Sequence, residues 1–202
     1  AGMSELDVLL SETERSFGLR QIQAGHARML VIGRDLHQPI GEVWSALSDP
    51  ARIAAYFAQP SGELRRGGDY EMAGFSTGTI LRCDPPRMLT VTWIPPHGNP
   101  GELEIHLADI DGSTRLELLY ASVRKKFAVI DPDAGEWAAG PGWEFFIDRL
   151  EAHVQGRELS SNLVSWAQME AEERELYHAR NAEWERVREE FERQHAPLPG
   201  PE

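Results

Sequence analysis

Apolar residues recur along the chain in two rhythms, and the switch between them marks out the elements. Over residues 4–17, SELDVLLSETERSF, a stripe of Leu6, Leu9, Leu10, Thr13 and Phe17 fits one amphipathic helix. The next segment, GLRQIQAGHARMLVIGRDL, reads as two extended runs broken at Ala24-Gly25, where glycine permits a tight hairpin turn. The second run, residues 26–36, is expected to be the first core strand. Pro39 suits the first turn of a helix, and Ile40, Val43, Trp44 and Leu47 follow at spacings of three and four. That helix is expected to stop near Ser48-Asp49-Pro50, where Asp49 can cap a second short helix carrying Ile53, Tyr56 and Phe57.

From Pro60 onward the rhythm falls to two. Turn residues at Gly62, Gly67-Gly68, Gly74, Gly78, Asp84-Pro85-Pro86, Pro95-Pro96 and Asp111-Gly112 punctuate the short runs TGTILRC, MLTVTWI, ELEIHLA and TRLELLY. In ELEIHLA, Leu103, Ile105 and Leu107 alternate with Glu102, Glu104 and His106, giving one buried and one wet face. This is an antiparallel meander, not a βαβ pattern. A helical stripe returns after Gly140-Pro141-Gly142 with Trp143, Phe146, Ile147, Leu150 and Val154, runs to Gly156, and must cover the sheet.

A last helical segment, residues 162–194, is rich in Glu, Arg and Ala and carries Leu163, Trp166, Met169, Leu176, Tyr177, Trp184, Val187 and Phe191. Its stripe is too sparse for a core of its own, so it is an arm packed on something else. It can fold back on its own domain, against the N-terminal helix, or pair with a second copy. The homodimer is the favoured expectation, since the domain closes near Gly156 and a chain ended there should then fold alone. The tail APLPGPE has no apolar content to order it. The expected organisation is an extension of helix and short strand (1–25), a main domain (26–156) and the arm with its tail (157–202).

Composition narrows the partners. The 202 residues carry 20 Lys and Arg against 33 Asp and Glu, a formal charge of -13. Such a chain repels phosphate backbones and anionic bilayers, so neither nucleic acid nor membrane is an expected partner. No run is apolar enough to span a bilayer, and no basic segment with an apolar stretch and cleavage site opens the chain, where Ala1 and Gly2 ahead of Met3 read as a cloning remnant. With Cys83 the sole cysteine, no intrachain disulfide forms, and a cytoplasmic location is expected.

The chemistry-bearing residues make no recognisable constellation. His26, His37, His97, His106, His153, His178 and His195 show no metal-ligand spacing; His106 and His153 are the pair most able to meet in space, and two unrelated histidines is the better expectation. Cys83 follows Thr79 by four residues on a shared strand face, without a base, and is expected to be structural. Glu102, Glu104 and Glu117 fall on wet strand faces and read as surface charge. No glycine loop links a strand to a helix in the phosphate-binding manner. Neither catalytic residues, nor a metal, nor a cofactor are therefore assigned.

Five segments in order, HQPIGEVWSALSDPARIAAYF, SGELRRGGDYEM, GTILRCDPPRMLTVTW, DGSTRLELLY and GPGWEFFIDRLEAHVQG, carry a resemblance. Over residues 26–156 the chain resembles the SRPBCC or START-related (birch-pollen-allergen-like) superfamily, in the branch named for homology to the activator of heat-shock protein 90 ATPase. The resemblance implies an α+β helix-grip fold: a seven-stranded antiparallel sheet around the last helix of the domain, with a cavity between them. Many relatives carry His, a small residue and Gly after the last strand; here Tyr120-Ala121-Ser122 leads into VRKKFAVIDPDAGEWAAG, expected to form a rim or lid.

A cavity of that kind would be lined by Trp143, Phe146 and Leu150 from the helix and by Leu81, Trp93, Leu103, Ile105, Leu116, Leu118 and Tyr120 from the strands. Taken singly, each of these suits simple core packing better, since aromatic stripes at helical spacing usually pack. Trp93 and Tyr120 are the strongest candidates for ligand contact, each joining a large apolar body to one polar handle. The leading functional reading is noncatalytic binding of a small hydrophobic molecule. The alternatives are a co-chaperone-like protein with a chaperone as partner, and a polyketide cyclase-like or hydrolase-like enzyme, for which no acid–base pair is found.

Overall fold

The computed structural model describes residues 2–96, 98, 100–122, 139–159 and 169–195. Ser4 opens α1 (Glu5–Ser11) with a capping box: its hydroxyl accepts from the Asp7 N–H while the Asp7 carboxylate accepts from the Ser4 N–H. The helix stops at Ser11 and does not reach Phe17. From Thr13 onward the alternation of Thr13, Arg15 and Phe17 with Glu14 and Ser16 prevails, and β1 (Thr13–Ile22) pairs along its whole length with β2 (Gly25–Leu36). A short helix with a mixed stripe has little stability of its own, whereas the strand gains a full ladder.

After β2 come α2 (Ile40–Ser48) and α3 (Pro50–Tyr56), the second capped by Asp49, whose carboxylate accepts from the Ala51 N–H at 2.9 Å. Then follow β3 (Pro60–Gly62), β4 (Asp69–Met72), β5 (Ser76–Asp84), β6 (Met88–Trp93), β7 (Gly101–Ile110) and β8 (Ser113–Ser122). All pairings are antiparallel, in the order β1-β2-β8-β7-β6-β5-β4-β3. The seven strands expected of the main domain are β2 to β8, and the N-terminal segment adds an eighth at the edge, ten residues long where a short one was expected.

The grip helix α4 (Ala139–Val154) lays Trp143, Phe146, Ile147 and Leu150 against Leu30, Ile32, Leu103, Ile105, Leu116 and Leu118 of the sheet in one continuous core. The stripe read from the sequence is therefore the buried face. Gly156, at φ +68°, ends the helix: its N–H donates to the His153 carbonyl and that of Arg157 to Ala152.

The arm is α5 (Ala171–Gln194), and it folds back on its own chain. Trp184 is fully buried: its indole meets Phe17 of β1 edge-on at 5.3 Å, and Phe191 packs on the Phe17 ring at 6.0 Å. A Cβ on Gly140 would come within 2.5 Å of the Trp184 ring, so the indole rests directly on the first turn of α4. Met169, Tyr177 and Trp184, part of the apolar surface that argued for a homodimer, are buried within one chain. Leu163, Trp166, the expected lid segment, His97 and the tail lie outside the described residues.

Trp184→Ala should lower unfolding stability by about 3–5 kcal/mol, the usual cost of emptying a buried aromatic site, measured by urea denaturation. A loss below about 1 kcal/mol, typical of surface positions, would show that the arm contributes nothing to the fold.

Candidate functional site

Between the sheet and the helices α2, α3 and α4 the core is incompletely filled, leaving a cavity of about 130 Å³. Its walls are aromatic and aliphatic: Tyr56 and Phe57 at the end of α3, Tyr70 of β4, Ile80 and Cys83 of β5, Val91 and Trp93 of β6, Leu103 and Ile105 of β7, and Trp143 and Phe146 of α4. Trp93 and Trp143 meet edge-on at 5.1 Å, and Phe57 and Phe146 likewise at 5.1 Å. Edge-to-face rings lock one another and hold the walls apart. Ser48, Leu64 and Arg65 are exposed lining residues and mark the mouth.

The hydroxyls of these walls are engaged within the protein. Tyr56 donates to the Ala46 carbonyl at 3.0 Å, Tyr70 to the Thr92 carbonyl at 2.5 Å, and the Ser48 hydroxyl to the Trp44 carbonyl at 2.8 Å. Burial raises the Tyr70 phenol to about 12 and pushes Tyr56 up further. Burial, with the Asp84 carboxylate beside it, also raises the Cys83 thiol, which stays protonated and a poor nucleophile. Such a site offers shape and dispersion to a guest, and no acid–base pair faces it among the described residues.

A model of one protein family, described as Activator of Hsp90 ATPase homolog 1-like protein, matches residues 37–155. The chain belongs to this family. No curated protein matches it. Among solved structures it is similar to CalU16 from Micromonospora echinospora, at 33% identity over 87% of this chain and 97% of that one, with a TM-score of 0.72 to the crystal structure and 0.74 to the solution structure. PFC0360w, an HSP90 activator from Plasmodium falciparum, is 13% identical over 64% of this chain and 97% of its own, with a TM-score of 0.53, a likeness of fold alone.

Within this member of the Hsp90-activator-like family, the expected lining residues divide in two. Trp93, Leu103, Ile105, Trp143 and Phe146 line the cavity. Leu116, Leu118, Tyr120 and Leu150 are buried but lie outside its walls, packed where α4 and the sheet meet without a gap. Tyr120 is held 5.2 Å from the Trp143 ring, behind the wall that Trp143 forms. Leu81 is absent from the wall for a different reason. The register shifts between Ile80 and Arg82, so one extra residue bulges from β5 and puts Ile80 and Cys83 inward in its place. That bulge also takes Thr79 off the face of Cys83; its hydroxyl donates to Asp69 at 2.7 Å. The lining from α3 escaped the sequence reading, although Ile53, Tyr56 and Phe57 were visible there as the helix's apolar side.

The two histidines singled out do not meet. The Nε2 of His153 accepts from the Arg52 Nε at 3.1 Å, and burial with the Arg52 charge lowers its pKa. His106 sits on the other face of the sheet, its Nε2 3.0 Å from Glu104. Glu104 is a correction to the reading of surface charge: it is buried, receiving Arg20 at 2.9 Å and the Thr90 hydroxyl at 3.0 Å, while Glu117 alone of the three is fully exposed. Burial works to raise its pKa, but the hydrogen bonds from Arg20, His106 and Thr90 prevail and hold it at about 2.

A carboxylate whose folded pKa lies below its ordinary 4.5 stabilises the fold above that value, and the contribution fades as pH falls from 4.5 toward about 2. Glu104→Gln should therefore cost about 1.5–3 kcal/mol at neutral pH, the range for hydrogen bonds to a charged group, and the gap to the parent protein should narrow across that acid window. Denaturation curves that keep the gap constant from neutral pH to pH ~2.5 would refute the assignment.

Proposed function

We propose that the protein binds a small apolar molecule in the cavity between α3, α4 and strands β4 to β7, and does not transform it. The observation that carries this reading is the wall itself: aromatic rings braced edge to face around open space, with their hydroxyls already committed to backbone carbonyls. A core selected for stability alone would close such a gap, since each unfilled volume costs packing energy. A cyclase-like or hydrolase-like role needs two titratable groups converging on a substrate, and the described walls supply hydrogen-bonded phenols and a protonated thiol instead. A chaperone partner rests on the family's description alone; no described surface of this chain speaks for it over the cavity.

A neutral alkylbenzene or an uncharged naphthalene dye should bind saturably and change the fluorescence of Trp93 and Trp143. Trp93→Ala should weaken binding by about tenfold, matching the ~1.5 kcal/mol an aromatic contact contributes beyond its area. Cys83→Phe, which places a ring in the cavity from a half-buried wall position, should abolish binding while the protein stays folded by circular dichroism. Equal affinity of the parent and the Cys83→Phe protein would place the guest elsewhere and refute the proposal.

A further inference from the structure

The cavity is too small for a large ligand and has charge at its mouth. We infer that its guest is an amphiphilic acid, with one aromatic ring or short alkyl chain inside and a carboxylate outside on Arg65; this rests on the cavity being a binding site. The volume of about 130 Å³ is close to the roughly 150 Å³ at which a dry apolar cavity takes up benzene. Anything larger than one ring must leave its remainder at the opening.

The interior offers that remainder no cation and no open hydroxyl. The hydroxyls of Tyr56, Tyr70 and Ser48 are engaged with main-chain carbonyls, and a carboxylate pushed among the rings would be desolvated without a partner. Its polar end must therefore face the mouth. There, Arg65 is the one charged side chain among the described lining residues.

Arg65 is held over the opening by the turn that carries it. The Gly67 N–H donates to the Ile80 carbonyl at 2.7 Å and the Ile80 N–H to Gly68 at 2.9 Å, tying the β3–β4 turn to β5. Gly68 has no room for a Cβ, which would come within 2.1 Å of the Glu63 carbonyl. The guanidinium itself remains available: its side chain is 71% exposed, with Glu63 at 2.6 Å as its partner. An exposed pair of this kind is weak, and an incoming carboxylate anchored by its ring competes with it. The net charge of -13 opposes anions at long range, but screening confines that effect to about 8–10 Å at ordinary salt, so the local cation decides at the mouth.

The test compares phenylpropanoate with its neutral amide, which share one skeleton, by isothermal titration and by tryptophan fluorescence. The parent protein should prefer the acid by about fivefold or more, as expected for a charge-assisted pair over a neutral one. Arg65→Gln should erase that preference and leave the amide unchanged, and Glu63→Gln, which frees the guanidinium, should tighten the acid alone. Equal binding of acid and amide, or an equal effect of Arg65→Gln on both, overturns the inference while alkylbenzene binding keeps the cavity reading intact. Failure of the acid, the amide and the alkylbenzene alike overturns both.

Discussion

The fold depends on how α4 is held from behind. Its apolar residues Trp143, Phe146, Ile147 and Leu150 face the sheet, and a second stripe, Glu144, Asp148 and Glu151, sits one residue along, about 100° further round the helix. Those carboxylates meet Arg15 of β1, Arg34 of β2 and Arg180 of α5. Glu144 accepts from Arg15 at 2.6 and 3.0 Å and from the Trp184 indole at 2.7 Å; Asp148 accepts from Arg34 at 2.5 Å and from Arg180 at 2.6 and 3.1 Å. Thr13 accepts the remaining Arg34 donors at 3.1 and 2.9 Å. Three cations answer three anions, and burial, which opposes the Asp148 charge, is outweighed by Arg180 and Arg34, so its pKa stays lowered. Buried ions of this sort add less to stability than an apolar replacement would, but an unpartnered one is costly, so each member enforces the position of the others.

That constraint explains why the terminal segments belong to the same body as the sheet. Arg15 and Phe17 come from β1, Arg34 from β2, and Arg180 and Trp184 from α5, all outside the residues 37–155 that the family model matches. The similarity to CalU16 reaches further, over 87% of the chain. β1 and α5 flank α4 on one side, and Arg28 of β2 adds a bond to Glu192 at the far end of α5, at 2.8 Å.

The sequence pattern made the apolar half of this legible and the ionic half illegible. Period-two runs gave β5 to β8 within a residue or two, and a period near four gave the face of α4, because burial against a sheet forces those spacings. Arg15 and Arg34 follow the same alternation, yet a charge on the inward side of a strand reads as a sign that the side is wet. Glu104 was misjudged in the same way: its partners Arg20 and Thr90 come from two other strands, and pairing across strands leaves no local trace. The bulge at Leu81 was equally hidden, since an inserted residue shifts every inward position after it without breaking the run. Half of the expected residues line the cavity because periodicity identifies a face; where along that face the helix lifts off the strands is set by α3, which props it with Tyr56 and Phe57.

The two sides of α4 therefore have opposite mechanical characters. On the side toward β1 and α5, the ionic layer fixes distances to within a hydrogen bond. Toward α3 and β4 to β7, contacts are ring against ring, as between Phe57 and Phe146 or Trp93 and Trp143. A helix pinned on one flank cannot settle into the sheet on the other unless the aromatic rings between them shrink, so the gap persists beside a well-packed core. The cavity lies on the flank of α4 that carries no ionic tie, where Tyr56 and Phe57 of α3 stand between the helix and Val91, Leu103 and Ile105.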